Sequence, residues 1–149
     1  MIITGAPVEL YDFEDVNYWP EITGIFDWAR THVTSTLYIC WAAQAAMHHF
    51  YGVEKFILED KMFGVFKHLV QQKNFTLCRG FDDEFNIPVS GHTTIDRNDI
   101  LSKDGLMILA ESEESGVGIV CSRGVRECYF TGHSEYSPYT LHNEYMRDV

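Results

Sequence analysis

Cys40 is the residue whose position most favours chemistry, because it separates a strand-like run from a helix-like run. Residues 33–39 are apolar and β-branched, whereas residues 41–51 are rich in alanine and stop at Gly52. A thiol at such a turn lies beside a helix N-terminus, whose dipole and N–H groups favour the thiolate. The same N–H groups can bind the oxyanion formed by attack on a carbonyl. We therefore predict a nucleophile with a lowered pKa at Cys40, the alternative being a small buried side chain.

A base for that thiol is offered by the segment TGHSEY, in which His133 and Glu135 follow a strand-like run. The spacing of two residues lets the Glu135 carboxylate approach the His133 imidazole and fix its tautomer, so that the imidazole can accept a proton from Cys40. A loop histidine beside a solvated glutamate is the alternative for this pair taken alone. We predict a triad of Cys40, His133 and Glu135 because a nucleophile at the end of one strand and a histidine–glutamate pair at the end of another occur in the same chain.

The other cysteines and histidines show no spacing typical of a metal site or a redox motif. No CxxC occurs, and we expect Cys78, Cys121 and Cys128 to be buried and unbridged. His48 and His49 are neighbours on a predicted helix, so they point in different directions and are expected at its surface or in packing. No metal is predicted, and the dispersed histidines receive no role: His32, His68, His92 and His142.

The elements that must position these residues alternate between helices and strands in the first half of the chain. Apolar residues at intervals near 3.6 predict a helix over residues 15–31, and another follows Cys40. The turn SRGVR predicts a hairpin. This order predicts an α/β fold with a mostly parallel sheet and an added antiparallel hairpin. The remaining expectations are strands at 2–3, 61–70, 75–77, 106–110, 116–121 and 127–130, a polar connection at 79–88, and a helix at 138–147.

The composition is that of one globular domain over residues 1–149. The net charge of −11 argues against nucleic acid, because phosphate backbones need clustered Lys and Arg. No apolar run approaches the roughly 20 residues of a membrane span, and the first residues lack a secretory signal, so a cytoplasmic location is expected. A homodimer stays open, because Tyr136 and Tyr139 suit an interface or the core equally well.

Several segments in fixed order resemble the homoserine O-acyltransferases, which are the O-acetyltransferases and O-succinyltransferases of methionine biosynthesis. The resemblance runs from Ile2 to Val149 and implies a class I glutamine amidotransferase-like, flavodoxin-like three-layer sandwich. It also implies a ping-pong reaction without a bound cofactor, in which a cysteine takes the acyl group from acyl-CoA and passes it to the hydroxyl of homoserine. The segments are TGAPVE, HVTSTLYICWAAQA, KMFGVFKH, RGFDDEF, LAESEESGV, FTGHSEY and EYMRDV.

The resemblance also implies roles for individual residues. Cys40 matches the acyl-thioester cysteine, His133 the general base and Glu135 its carboxylate partner. The guanidinium of Arg147 suits the carboxylate of an amino-acid acceptor, which it can hold by two parallel hydrogen bonds. We expect the backbone N–H of Trp41 to donate to the oxyanion. The substrate-contacting positions of the family fall on Lys61, Ser90 and Arg147.

Glu9 is the residue expected to select the acyl donor. In the family that this chain resembles, Glu at the matching position is typical of acetyl-CoA users and Gly of succinyl-CoA users. An ionised Glu at the pocket wall would repel the second carboxylate of a succinyl group. Acetyl transfer to homoserine is therefore the leading expectation, with acetyl-CoA or succinyl-CoA as co-substrate.

Two departures from the family pattern keep other functions open. The pattern P-H-S-R-H/Y is replaced by residues 88–92, PVSGH, so Val89 and Gly91 stand where the family has His and Arg. Losing that cation makes serine an alternative acceptor. Members of the family also extend beyond both ends of this sequence. The alternatives are a homoserine O-succinyltransferase, a serine O-acetyltransferase with the same triad, an amidotransferase-like amidase, and a non-catalytic fragment with the same fold.

Overall fold

A computed structural model describes residues 1–148 and is built around one seven-stranded sheet. In space the strands follow the order β1-β2-β7-β6-β5-β3-β4. The first three strands of that order pair in parallel and the remaining neighbours pair antiparallel, so the sheet is mixed. The strands are β1 (Ile2–Ile3), β2 (Thr36–Ile39), β3 (Lys55–Val70), β4 (Glu84–Ile95), β5 (Leu106–Ser112), β6 (Gly116–Ser122) and β7 (Glu127–Phe130).

The parallel strands β2 and β7 bring the two candidate catalytic segments to the same edge of the sheet. Their register pairs Ile39 with Phe130, the last residue of each strand. Alternate residues point to opposite faces, and the buried rings of Tyr38 and Tyr129 stack on one face at 5.2 Å. The chain leaving β2 and the chain leaving β7 therefore start from neighbouring points.

Helices cover the face of the sheet that carries Tyr38 and Tyr129. The second helix is lined with alanines that are fully buried, which lets its backbone approach the strands closely. It ends at Gly52, which adopts the left-handed conformation of a helix C-terminus (φ 65°). The predictions of a helix after Cys40 and of its end are confirmed. The helices are α1 (Trp19–His32), α2 (Trp41–Tyr51), α3 (Arg97–Ser102) and α4 (Thr140–Asp148).

The antiparallel part of the sheet is larger than the one hairpin expected, because β3 and β4 form a second, long hairpin. The expectation of a polar connection over residues 79–88 is wrong from Glu84 onward. There the polar residues alternate with Phe85 and Ile87, which is the pattern of a strand with one buried face. Residues 75–77 are wrongly expected to be a strand, since Thr76–Cys78 is a 3-10 turn.

The opposite face of the sheet carries a second apolar cluster and an open cavity of about 410 Å³. Leu37, Leu109 and Phe130 are among the residues that line this cavity. Their sequence neighbours Tyr38, Ile108 and Tyr129 point to the other face of the sheet, under the helices. No helix within residues 1–148 is long and apolar enough to cross a membrane.

Candidate active site

Cys40 stands on a strained turn between β2 and α2. Its backbone has φ 56° and ψ −123°, a conformation that non-glycine residues rarely adopt and that is found at functional sites. The Cys40 N–H donates to the Phe130 carbonyl at 2.7 Å, and the Cys40 carbonyl accepts from the Ala43 N–H at 2.9 Å. A Cβ added at Gly5 would lie 3.0 Å from the Cys40 Cβ, so the first loop of the chain packs directly against this turn.

His133 is fixed at the end of β7 by contacts to the neighbouring hairpin. Its N–H donates to the Pro88 carbonyl at 2.8 Å. Gly132 permits this approach, because a Cβ there would lie 2.7 Å from the same carbonyl oxygen. The His133 Nδ1 lies 2.8 Å from Glu135 Oε1, and the ring stacks on Tyr136 at 4.2 Å. When Nδ1 donates to the carboxylate, Nε2 is the nitrogen that accepts a proton.

A cavity of about 320 Å³ brings the candidate site residues together. Its wall includes Gly5 and Ala6 of the first loop. Lys61 reaches the cavity from an irregularity in β3, where the pairing with β4 shifts register between Ile57 and Met62. The Trp41 N lies 3.3 Å from the position of a Cβ at Gly5, so the expected oxyanion donor faces this loop. The sequence-predicted side chains that line the cavity are Glu9, Cys40, Lys61, Ser90, His133, Glu135 and Arg147.

The electrostatics of this cavity hold Cys40 as a neutral thiol. Burial raises the pKa of Cys40 to about 12, and the negative charges of Glu9, Glu135 and Glu144 act in the same direction. The neighbouring Trp41 N–H lowers the pKa but does not offset the burial. The expectation of a lowered pKa at the helix N-terminus is therefore wrong. Cys40 needs a base to become a nucleophile, which is the role that His133 can fill.

The cavity wall also includes Tyr136 and Glu144, for which no role in the site was predicted. The Tyr136 hydroxyl donates to Glu144 Oε1 at 2.7 Å. Burial and this hydrogen bond raise the pKa of Tyr136. Glu144 Oε2 is buried without a hydrogen-bond partner among residues 1–148. Glu144 lies three residues before Arg147, a spacing that places both on one face of α4 and that could have indicated a joint role.

Glu9 also lines the cavity and is held by contacts to His92 and Lys55. Its Oε1 lies 2.9 Å from His92 Nδ1, and its carbonyl accepts from Lys55 Nζ at 2.7 Å. Lys55 Nζ also donates to the Tyr11 carbonyl. A second cavity, of about 640 Å³, shares Glu9 with the first and continues along Tyr11 and His92.

The remaining cysteines and histidines lie mainly in packing or surface contacts. The four cysteines are unbridged, and Cys121 and Cys128 face each other across the sheet with sulfurs 3.5 Å apart. His48 and His49 form surface pairs with Glu14 and Asp27, as expected for a helix surface. Within residues 1–148, no three of the His, Cys, Asp or Glu side chains are grouped so as to hold a metal ion.

A sequence profile described as "Homoserine O-succinyltransferase" matches residues 1–149. The chain belongs to this family. It is 64% identical to a homoserine O-acetyltransferase of Parabacteroides distasonis and 54% identical to one of Desulfitobacterium hafniense, over 100% of the chain and 48% of each relative. The chain thus spans about half the length of the curated relatives it matches.

Solved structures place the fold of this family member among the glutamine amidotransferases. A glutamine amidotransferase of Methylobacillus flagellatus superimposes with a TM-score of 0.75 over 97% of the chain and 55% of that structure, at 16% identity. One of Thermotoga maritima gives 0.72 over 99% of the chain and 62% of that structure, at 14% identity. The expected amidotransferase-like α/β fold is confirmed.

Proposed function

We propose that this chain carries the catalytic centre of a homoserine O-acetyltransferase, which acts as one domain through a cysteine thioester formed from acetyl-CoA. One observation carries the proposal. Cys40 on its strained turn and the His133–Glu135 pair, with Nδ1 and Oε1 2.8 Å apart, line the same cavity. Nucleophile, base and orienting carboxylate are the parts that acyl transfer through a covalent intermediate requires.

In the first half-reaction, His133 removes the proton from the Cys40 thiol as the sulfur attacks the acetyl carbonyl. The Glu135 carboxylate holds the imidazole and stabilises its charged form. The Trp41 N–H donates to the oxyanion as it develops. When the C–S bond to CoA breaks, His133 returns the proton to the departing CoA sulfur, and acetyl-Cys40 remains.

In the second half-reaction, His133 takes the proton of the acceptor hydroxyl, whose oxygen attacks the thioester. The bond to sulfur breaks, and Cys40 regains its proton. Arg147 suits the carboxylate of the amino acid, and Glu144 Oε2, which is buried without a hydrogen-bond partner among the described residues, suits its ammonium group. Lys61 and Ser90 supply further polar contacts from the β3–β4 hairpin.

Homoserine is favoured over serine as acceptor by the names of the relatives, which are homoserine O-acetyltransferases. Among the described residues, Glu9 Oε2 is the atom that a Cβ at Gly91 would meet, at 3.1 Å, so position 91 faces Glu9. Although the family arginine is missing at this position, Arg147 lines the same cavity and suits the carboxylate of an amino-acid acceptor.

Acetyl-CoA is favoured as donor by Glu9 and by the names of the relatives, although the family profile carries the succinyl name. The proposal includes methionine biosynthesis in the cytoplasm, with small-molecule substrates and without nucleic acid. Succinyl transfer by the same triad is the second candidate.

The test is intact-protein mass spectrometry after brief incubation with acetyl-CoA or succinyl-CoA in the absence of an acceptor. We expect an acetyl adduct on the wild-type protein, none on Cys40→Ala, and release of the adduct on adding homoserine. A Cys78→Ala variant, which alters a buried thiol outside the cavity, should keep the adduct. Adduct formation on Cys40→Ala would refute the proposed mechanism.

A further inference from the structure

The Glu9 carboxylate contacts two neighbouring residues of β4, His92 and Gly91. His92 Nδ1 lies 2.9 Å from Glu9 Oε1, and the side chains of Glu9 and His92 are 20% and 41% exposed. Glu9 reaches the cavity from the first loop of the chain, whereas His92 belongs to the far edge of the sheet. The pair therefore joins two segments that are 83 residues apart in the sequence.

The second contact is with Gly91, which leaves space for the carboxylate because it has no side chain. A Cβ at this position would lie 3.1 Å from Glu9 Oε2, closer than an ordinary van der Waals contact. A side chain at position 91 must therefore displace the Glu9 carboxylate by at least a few tenths of an ångström. Glu9 thus has one oxygen bound by His92 and the other lying against the bare backbone of Gly91.

The backbone of Glu9 is held as well, which makes its side chain the adjustable part. Lys55 Nζ binds the Glu9 carbonyl and also lies 4.3 Å from the centre of the Phe13 ring. If the carboxylate is released from His92, the main chain stays in place and the side chain gains rotamer freedom.

We propose that Gly91 and His92 are positioning residues that fix the Glu9 carboxylate at the cavity wall and thereby set the preference for a monocarboxylic over a dicarboxylic acyl donor. This inference rests on the proposed function in that the donors are acyl-CoA thioesters. A fixed negative charge discriminates against a second carboxylate better than a mobile one, because a mobile side chain can turn away toward solvent. Donor choice is then a property of the contact between Glu9 and β4.

The test is a competition between equal concentrations of acetyl-CoA and succinyl-CoA, with the ratio of acetyl to succinyl adducts on Cys40 measured by mass spectrometry. His92→Ala should lower this ratio by about five- to tenfold, the size expected for losing a partly exposed charged hydrogen bond. His92→Asn, whose amide can donate from nearly the same place as Nδ1, should restore most of it. Gly91→Ala should lower the ratio in the same direction.

The matched control is His49→Ala, which removes another histidine–carboxylate pair of 2.9 Å, on the surface of α2. It should leave the ratio unchanged. Dissociation constants of unreactive thioether analogues of the two donors, measured on Cys40→Ala variants, report the same preference without acyl transfer. An unchanged adduct ratio in both His92→Ala and Gly91→Ala overturns this inference alone. Absence of any adduct on the wild type refutes the proposed function, and the analogues then decide the role of His92.

Discussion

At the scale of single residues, the candidate site combines a proposed nucleophile that keeps its proton with a proposed base that is already oriented. Burial and three carboxylates keep the proton on Cys40, whereas the His133 imidazole is held by Glu135 on one side and by the Tyr136 ring beneath it. In the proposed mechanism, Cys40 therefore needs His133 to take its proton before the sulfur can attack a substrate. The proposed chemistry begins with the base rather than with a thiolate that is already formed.

This charge state predicts how Cys40 reacts with an alkylating agent in the absence of substrate. Because the pKa of Cys40 is raised to about 12, the thiolate fraction should grow about tenfold per pH unit between about pH 7 and pH 10. We expect the rate of iodoacetamide labelling at Cys40, followed by peptide mass mapping, to rise in proportion. A rate that levels off near neutral pH would show that a thiolate is already formed.

At the scale of elements, the turn at Cys40 depends on the loop that passes beneath it. A Cβ at Gly5 would lie 3.0 Å from the Cys40 Cβ and 3.3 Å from the Trp41 N. The atoms nearest to it belong to the nucleophile and to the expected oxyanion donor, so neither can yield without altering the site. The strained turn therefore requires a residue without a side chain at position 5 of this loop.

Gly5→Ala should therefore lower the rate of thioester formation by at least about tenfold, because a shift of a few tenths of an ångström misplaces both groups. Gly24→Ala is the matched control, since a Cβ at that exposed position of α1 meets nothing within 4 Å. It should leave the rate unchanged and raise the free energy of unfolding by about 0.5–1 kcal/mol. Rates come from stopped incubations and stabilities from urea unfolding. Equal rates in the two variants would contradict this account of the turn.

The elements that hold the candidate catalytic residues could be predicted from the sequence, but the surroundings of these residues could not. The change from a β-branched run to an alanine-rich run marks the turn at Cys40, and the two-residue spacing marks the His133–Glu135 pair. The long β4 strand was missed because its polar residues near Glu84 resemble a loop when taken singly. The raised pKa of Cys40 depends first on burial and then on carboxylates such as Glu9 and Glu144, which reach the cavity from distant segments and leave no local pattern.

At the scale of the whole molecule, an ion pair ties α1 to the parallel strands that support the site. Arg30 Nε lies 2.7 Å from Glu127 Oε1, and the Glu127 side chain is only 7% exposed. The Arg30 guanidinium also lies 3.8 Å from the centre of the Phe50 ring and donates to the Tyr51 hydroxyl at 3.0 Å. The Arg30 side chain thus joins α1 and α2 to the first residue of β7.

Arg30→Leu should lower the free energy of unfolding by about 2–3 kcal/mol, because it leaves the buried Glu127 carboxylate without its partner. The matched control is Arg97→Leu, which breaks a pair of the same 2.7 Å length at the surface, where Arg97 is 52% exposed. That variant should lose clearly less stability than Arg30→Leu, because an exposed ion pair contributes little. Urea unfolding of both variants measures the difference, and similar losses would show that burial of Glu127 is not decisive.

The neutral thiol at Cys40 also affects how well the protein withstands oxidative damage. Peroxides attack thiolates and convert them to sulfenic acid and then, irreversibly, to more oxidised acids. A cysteine that keeps its proton until a substrate arrives offers them little of the reactive form. The same burial that keeps the proton on Cys40 should therefore spare this cysteine during periods of oxidative stress, when a permanently ionised cysteine would be lost.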